Sequence, residues 1–263
     1  MFPSLNLPAD ATMLELIEHA DILEIKLARP PVNALSPELI RALRHAVGEA
    51  PAKGARALVL SANPGLFSAG LDVPTLLTLD RAGMLELWRD FFGLMQNLAC
   101  SPIPSVAAIT GHSPAGGTVV ALFCDYRVMA AGNFKLGLNE TQVGLALPSA
   151  ILMGLQRLIG PHRAERHVVA GNMISGDEAE KLGLVDEQVP ADQVVNRAIE
   201  WCRFHLALPA RAMRLNREAA RADLRAIFHD PERLQLGEFV EGWFHPETQM
   251  VLHAMVAKLK ARG

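Results

Sequence analysis

Two glycine-containing turns, each following a predicted buried strand, could bind negative charge. One has the sequence FSAGLD at residues 67–72, and the other has the sequence GHSPAGG at residues 111–117. Backbone N–H groups at the start of a helix have no partner within that helix, and the helix dipole favours negative charge beside them. Together the two turns indicate a pair of amide donors for an anion, or for an oxyanion that develops during a reaction.

A third segment, LGLNETQVGL at residues 136–145, holds one carboxylate, Glu140, among aliphatic neighbours. Burial there would disfavour the charged form and raise the pKa of Glu140 toward the range useful for proton transfer. A glutamate in such a segment more often caps a helix or faces solvent. Its place relative to the two turns is what favours chemistry here.

The second turn also resembles the G-x-S-x-G nucleophile elbow of α/β-hydrolases, with Ser113 as the nucleophile and His245 or His253 as its base. In that elbow, the N–H of the residue after the serine forms half of the oxyanion hole. That residue is Pro114 here, which has no N–H. Because losing one such donor costs about 3–4 kcal/mol of transition-state stabilisation, the sequence disfavours a serine esterase.

Strand and helix signals alternate around these motifs. We predict a hairpin within residues 13–28, and a helix from the N-cap Ser36 to about residue 50. Further strands are predicted at 56–61, 104–109, 126–130 and 184–189, and further helices at 81–98, from the second glycine turn to about 123, and after the capping box at 175–178. After about residue 201 the chain is predicted to be helical.

Composition excludes several classes of protein. Of the 263 residues, 50% are hydrophobic and 20% are charged, which excludes a disordered chain. The 25 Lys and Arg against 28 Asp and Glu give a net charge of −3 with no basic run, so we expect no nucleic-acid partner. Residues 91–124 carry no charge, but prolines and glycines interrupt them, so we expect a buried interior and no membrane partner.

The terminal and cysteine patterns set two further expectations. Residues 1–28 carry five acidic residues and no Arg, unlike a signal or transit peptide, so we expect a cytoplasmic protein. Cys100, Cys124 and Cys202 lie far apart in the sequence, and no metal-ligand spacing appears, so we expect no metal site.

Taken together, the motifs resemble the crotonase superfamily, the enoyl-CoA hydratase and isomerase family. The resemblance also includes PPVNAL at residues 30–35, CDYR at residues 124–127 and the helix–strand unit 175–189. Within the family, the combination SPAGG, CDYR and GLNETQ is most similar to the mitochondrial-type enoyl-CoA delta isomerases. The resemblance implies an α/β fold, the ClpP/crotonase-like spiral of repeated β-β-α units with a C-terminal helical trimerisation region.

The resemblance also implies a domain plan and partners. Residues 1–200 would form the spiral core with the acyl-CoA site, and residues 201–263 would form a helical region for oligomerisation that covers the site. The protein would assemble as a homotrimer or a dimer of trimers. Acyl-CoA would be the substrate, and no separate cofactor is implied. The residues that hold the CoA phosphates stay unassigned, with Lys258 and Lys260 as candidates.

The family's site residues carry over to positions in this sequence. The backbone N–H groups of Leu71 and Gly116 would form the oxyanion hole for the thioester oxygen, and Glu140 would be the catalytic base. The resemblance assigns substrate binding to four further residues: Ala69, Gly70, Asp72 and Asn139. We expect Asn139 to line the pocket or orient Glu140, although a turn asparagine is the alternative, and pinning its loop is the alternative for Asp72.

One departure from the family pattern favours isomerisation over hydration. Hydratases of the family use a second glutamate on the helix after the second glycine turn, and that position is Val119 here. Hydration must place a proton and a hydroxide across a double bond, whereas shifting the double bond requires one base that removes and returns a proton. The resemblance therefore implies an enoyl-CoA isomerase of fatty-acid β-oxidation. Enoyl-CoA hydratase is the main alternative, and a non-catalytic crotonase-like module is another.

Overall fold

Two β-sheets organise the part of the chain that the computed structural model describes, residues 13–230 and 234–261. The larger sheet has the order β1-β2-β3-β5-β7-β10, and the smaller has the order β4-β6-β8-β9. The strands are β1 (Leu14–His19), β2 (Ile22–Leu27), β3 (Ala57–Ala62), β4 (Gly65–Leu66), β5 (Ser105–Ile109), β6 (Gly111–Pro114), β7 (Tyr126–Ala130), β8 (Lys135–Gly137), β9 (Met173–Ser175) and β10 (Glu187–Val189).

Helices connect and cover these strands. They are α1 (Pro37–Glu49), α2 (Val73–Leu76), α3 (Arg81–Cys100), α4 (Gly116–Leu122), α5 (Ser149–Ile159), α6 (Pro161–Ala170), α7 (Gly176–Leu182), α8 (Val194–Leu206), α9 (Ala210–Ala220), α10 (Ala222–Ala226), α11 (Leu236–Trp243) and α12 (Pro246–Lys260), with a 3-10 helix at Glu140–Val143. None of the helices in the described ranges is long and apolar enough to cross a membrane.

A repeating β-β-α path links the two sheets, as predicted. The strands β3, β5 and β7 each join the larger sheet, and the strand that follows each of them, β4, β6 or β8, joins the smaller one. Apart from the antiparallel hairpin β1–β2, neighbouring strands of the larger sheet are parallel. Since parallel strands end at the same edge of a sheet, the loops after β3 and β5 lie side by side.

The smaller sheet corrects one sequence prediction. Residues 111–114 are predicted as part of a turn, but they form strand β6, which pairs with β4 and β8. Its strands are two to four residues long, too short for a period-two pattern to appear in the sequence. Gly111 permits the pairing, because a Cβ there would lie 2.0 Å from the carbonyl carbon of Gly65.

Local caps and a long apolar helix fix the layer over the larger sheet. The Ser36 hydroxyl accepts a hydrogen bond from the Leu39 N–H at 3.3 Å, and the Asp80 carboxylate accepts one from the Gly83 N–H at 2.8 Å, which sets the starts of α1 and α3. Ten of the twenty residues of helix α3 are buried. It therefore supplies a rigid wall above the loops that follow β3 and β5.

A buried ion cluster attaches the helical tail to the core. Both Asp125 oxygens accept hydrogen bonds from Arg217, at 2.7 and 2.8 Å, and Arg221 lies 3.1 Å from the same carboxylate. Burial alone would raise the pKa of Asp125, but the hydrogen bonds and charges of the two arginines outweigh it and lower the pKa. This cluster joins α9 and α10 to the start of β7.

The predicted boundary at residue 200 falls inside α8. That helix runs from Val194 to Leu206, and its buried residues belong to the same apolar cluster as β3, β5 and β7. Structurally, α8 therefore belongs with the larger sheet, and the separate helical layer starts at α9. An oligomerisation role for that layer stays a prediction.

Candidate active site

Leu71 presents a free amide at the end of the first glycine turn. The Leu35 N–H donates to the Gly70 carbonyl at 2.8 Å, and the Asp72 N–H donates to the Leu35 carbonyl at 3.1 Å. This isolated parallel bridge uses the residues on either side of Leu71, so the N–H of Leu71 itself points away from Leu35. Within the described residues, it donates to no other group.

Gly116 presents the second free amide. It is the first residue of α4, where an N–H has no partner within the helix, and in the described part of the chain no other acceptor binds it. The preceding residue, Ala115, has a φ of +45°, unusual for a residue with a side chain. Its N–H donates to the Gly137 carbonyl at 2.8 Å, which holds the sharp turn from β6 into α4.

The two glycine turns pack closely against each other. A Cβ on Gly70 would lie 3.2 Å from the Pro114 carbonyl oxygen and 3.5 Å from the Gly116 nitrogen. A Cβ on Gly116 would lie 3.5 Å from the Leu71 nitrogen. The Leu71 and Gly116 amides therefore border one small space, as an oxyanion hole requires.

A mainly apolar cavity joins these amides to Glu140. It is small, about 20 Å³, which is room for about one water molecule. Leu71, Gly116 and Glu140 lie in its wall together with Val119. The other lining residues are Trp88, Phe91, Leu145, Ala146, Pro148, Ile151 and Phe239.

Glu140 enters this cavity from the first position of the 3-10 helix. Gly144 ends that helix with a φ of +73°, and the Leu145 N–H donates to the Glu140 carbonyl at 2.9 Å. The side-chain Oε2 is buried and has no hydrogen-bond partner among the described residues. Burial raises the pKa of Glu140 from 4.5 to about 7, and a backbone hydrogen bond opposes the shift. A carboxyl group with this pKa both takes and gives a proton near neutral pH.

Val119 lies in the same cavity wall as Glu140. It is part of α4, is 1% exposed, and is held by the hydrogen bond from its N–H to the Ala115 carbonyl at 2.9 Å. An isopropyl group neither activates nor protonates water. The cavity is thus lined by one titratable side chain, Glu140, among its described residues.

Comparison with known proteins places this site in a family. The sequence profile of the enoyl-CoA hydratase/isomerase family matches residues 18–261. The chain belongs to this family. Its fold agrees with that assignment: the crystal structure of human mitochondrial delta3-delta2-enoyl-CoA isomerase superimposes with a TM-score of 0.89 at 30% identity, over 95% of this chain and 99% of that one. The predicted crotonase fold is therefore confirmed.

Relatives of this enoyl-CoA hydratase/isomerase family member carry both kinds of name. Mitochondrial enoyl-CoA delta isomerase 1 of Mus musculus is 34% identical over 246 residues, which cover 92% of this chain and 85% of the relative. A probable enoyl-CoA hydratase of Mycobacterium avium is 35% identical over 222 residues, which cover 83% of this chain and 84% of the relative. Family membership thus indicates an acyl-CoA enzyme, and the family includes both isomerases and hydratases.

The predicted substrate-binding residues separate into two groups. Gly70 lies at the contact between the turns, beside Ala69, whose N–H donates to the Val32 carbonyl at 3.0 Å. Asp72 does not line the cavity. It accepts a hydrogen bond from Arg29 at 2.6 Å and caps α2 through the Thr75 N–H at 3.3 Å, so it pins the loop after Gly70.

Asn139 also lies outside the cavity wall as the structure describes it. Its carbonyl accepts the Gln142 N–H at 3.0 Å, and its Cα would lie 3.5 Å from a Cβ on Gly171. Asn139 thus contributes its backbone to this turn, beside the end of α6. Its role in substrate binding stays a prediction.

The nucleophile-elbow alternative finds no support in the geometry. Ser113 is fully buried in β6, and its Oγ has no hydrogen-bond partner within the described ranges. A Cβ on Gly117 would lie 2.8 Å from this oxygen, so helix α4 covers it. Neither His245 nor His253 is bonded to it.

Several cavity residues were not singled out from the sequence. Leu145, Ile151 and Phe239 line the cavity, but nothing in their local sequence distinguishes them from other core residues. Phe239 is nearly a hundred positions from Glu140 in sequence, and only the folded tail brings it into the wall. No group of three or more potential metal-ligating side chains occurs in the portion of the chain that the structure describes.

Proposed function

We propose that this enzyme converts 3-enoyl-CoA to trans-2-enoyl-CoA in fatty-acid β-oxidation. The observation that carries the proposal is a single carboxylate, Glu140, whose Oε2 is buried in a cavity that it shares with two free backbone amides and with Val119. The shift of a double bond needs one group that removes a proton and returns it to a different carbon. Hydration needs water to be activated as well, and valine does not supply that function.

In the proposed first step, the Glu140 carboxylate removes a proton from C2 of the substrate, next to the thioester carbonyl. The C2–H bond breaks, and its electron pair delocalises into the thioester and the adjacent double bond to form a dienolate. The Leu71 and Gly116 N–H groups donate hydrogen bonds to the thioester oxygen as negative charge develops there. Each such donor is worth about 3–4 kcal/mol in related oxyanion holes.

In the second step, the protonated Glu140 returns the proton to C4. A C4–H bond forms, the double bond settles between C2 and C3, and Glu140 is a carboxylate again. The substrate and product have the same composition, so the cycle needs no co-reactant and no separate cofactor. The pKa of about 7 supports both proton transfers, because the Glu140 carboxyl group exchanges a proton readily near neutral pH.

We also propose the trimer or dimer of trimers that the family resemblance implies. Several apolar side chains are exposed on the helical part of the single chain, and these would be buried in such an assembly. They are Phe204, Leu208, Leu215, Met250 and Leu259.

The reaction is tested by measuring two rates with the same enzyme. Conversion of 3-hexenoyl-CoA to 2-hexenoyl-CoA is expected to be fast, whereas hydration of crotonyl-CoA is expected to be slower by about two orders of magnitude or more, the range that one acid–base group contributes. A hydration rate equal to the isomerisation rate would favour the hydratase alternative and would contradict the proposal.

A further inference from the structure

An aromatic wall closes the cavity beside Glu140. Trp88 of α3 and Phe239 of α11 both line the cavity, and their rings meet edge to face with centroids 5.3 Å apart. Phe92 of α3 also meets Phe239 edge to face, at 6.3 Å. Such contacts favour defined ring positions. The wall is therefore built jointly by helix α3 of the core and helix α11 of the C-terminal region.

The cavity is too small for an acyl chain with this wall in place. Its volume of about 20 Å³ holds about one water molecule, whereas an enoyl chain extends several methylene groups beyond its double bond. Because protein interiors are close-packed, each further methylene has to displace an atom of the wall. The side chain that yields decides how long a chain can be bound.

Phe239 is the aromatic side chain of this wall with the least support. Trp88 and Phe91 are 4% and 1% exposed, and both belong to the twenty-residue helix α3. Phe239 is partly exposed and belongs to the eight-residue helix α11, in which Val240 and Trp243 are the buried residues. The Phe239 ring thus lines the cavity, is partly exposed, and contacts Trp88 and Phe92 of α3.

We propose that the Phe239 side chain sets the acyl-chain length that this enzyme accepts. The inference rests on the proposed function, because it assumes that the cavity beside Glu140 receives the acyl group of a CoA thioester. The phenyl ring has to move aside to admit an acyl chain, so short 3-enoyl thioesters, which displace it least, are favoured. A smaller side chain at this position opens the wall toward solvent and admits longer chains.

The test compares three substitutions with a matched control. Phe239→Ala and the milder Phe239→Leu remove part of the wall, and Phe239→Trp enlarges it. Phe244→Ala is the control, because Phe244 ends the same helix and is not one of the described cavity-lining residues. Its ring centroid lies 4.8 Å from Arg81 Cζ. The kcat/KM values are measured for 3-hexenoyl-CoA and 3-dodecenoyl-CoA, and Kd values are measured for hexanoyl-CoA and dodecanoyl-CoA.

The expected result is a change in the ratio of long-chain to short-chain kcat/KM. Phe239→Ala should raise this ratio about tenfold or more, Phe239→Leu less, and Phe239→Trp should lower it, since pocket contacts of about one methylene change specificity by this order. Phe244→Ala should leave it unchanged. The same ratio in the wild type and in all three Phe239 variants would overturn the inference.

The Kd values separate this inference from the proposed function. The saturated thioesters need only bind, so their affinity ratio depends on the acyl pocket and not on proton transfer. A wild type that does not isomerise 3-enoyl-CoA, with a Kd ratio that still follows the size of residue 239, would contradict the proposed function alone. An unchanged Kd ratio in folded Phe239 variants would contradict the chain-length role, whatever the isomerase activity.

Discussion

Glu140 and Val119 line the same cavity, one from the 3-10 helix after β8 and the other from α4. The cavity thus holds a carboxyl group with a pKa of about 7 together with an aliphatic side chain that neither takes nor gives a proton. The chemistry proposed for the site depends on this contrast. Single substitutions at either position therefore test it.

Val119→Glu should shift the enzyme from isomerisation toward hydration. Two carboxyl groups in one buried cavity disfavour each other's ionisation, so the shared proton is held more tightly and isomerisation should fall about tenfold or more. Hydration of crotonyl-CoA should rise above the wild-type rate. Val119→Gln, with a similar shape and no charge, is the control and should not gain hydration. If Val119→Glu changed neither rate, Val119 would not be part of the reacting site.

Gly116→Ala should abolish most of the oxyanion stabilisation. The new Cβ would lie 3.5 Å from the Leu71 nitrogen, beside the other amide of the pair, and 2.8 Å from Leu35 Cδ1, so the turn or Leu35 has to shift. We expect kcat/KM to fall by about two orders of magnitude or more. Gly237→Ala is the control, because a Cβ there meets nothing within 4 Å.

A second substitution separates the two effects of that Cβ. Leu35→Ala removes the crowded methyl group, so the double variant Gly116→Ala/Leu35→Ala relieves the steric contact but keeps the new methyl group beside the Leu71 amide. The oxyanion-hole account predicts that activity is not restored. Recovery of most of the wild-type kcat/KM in the double variant would show that steric displacement, and not loss of the anion site, caused the defect.

Part of this site could be predicted from the sequence because its signals are local. The caps at Ser36 and Ser175, the glycine turns ending at Leu71 and Gly116, and the carboxylate at Glu140 each depend on neighbouring residues. Fold class and family were predicted correctly from them. The two oxyanion amides and the base stay assigned by resemblance and by geometry, and the variants described here test them.

Other parts could not be predicted because they depend on distant contacts. Strand β6 exists through its pairing with β4 and β8, and Phe239 reaches the cavity only after the tail has packed on α3. Asp72 stands next to Leu71 in the sequence, yet its carboxylate binds Arg29 and the Thr75 N–H and does not line the cavity. A residue that neighbours a site residue in the sequence thus does not always belong to the site.

The pKa of Glu140 should appear in both activity and stability. The carboxylate is the form that removes the C2 proton, so kcat/KM should rise with pH through about 7 and then level off. Its folded-state pKa lies above the unfolded value of about 4.5, so the folded protein binds the proton more tightly. The free energy of unfolding contributed by this group therefore falls as pH rises from about 4.5 to about 7.

Glu140→Gln isolates this stability effect. The amide carries no charge at any pH, so the variant should equal the wild type in stability near pH 4 and exceed it by about 3 kcal/mol near pH 8. Urea unfolding at both pH values measures the difference. Glu165→Gln, an exposed position on α6, is the control and should show no such trend. A wild type that gains stability relative to Glu140→Gln as pH rises would contradict a raised pKa.

The most direct test of the central claim is the rate at which Glu140→Gln converts 3-hexenoyl-CoA to 2-hexenoyl-CoA. Glutamine keeps the shape of the side chain but neither removes nor returns a proton at C2 or C4. With Glu140 as the single acid–base group, kcat should fall by about two to four orders of magnitude, while the affinity for hexanoyl-CoA and the fold are retained. A folded Glu140→Gln enzyme with a kcat close to that of the wild type would contradict the account.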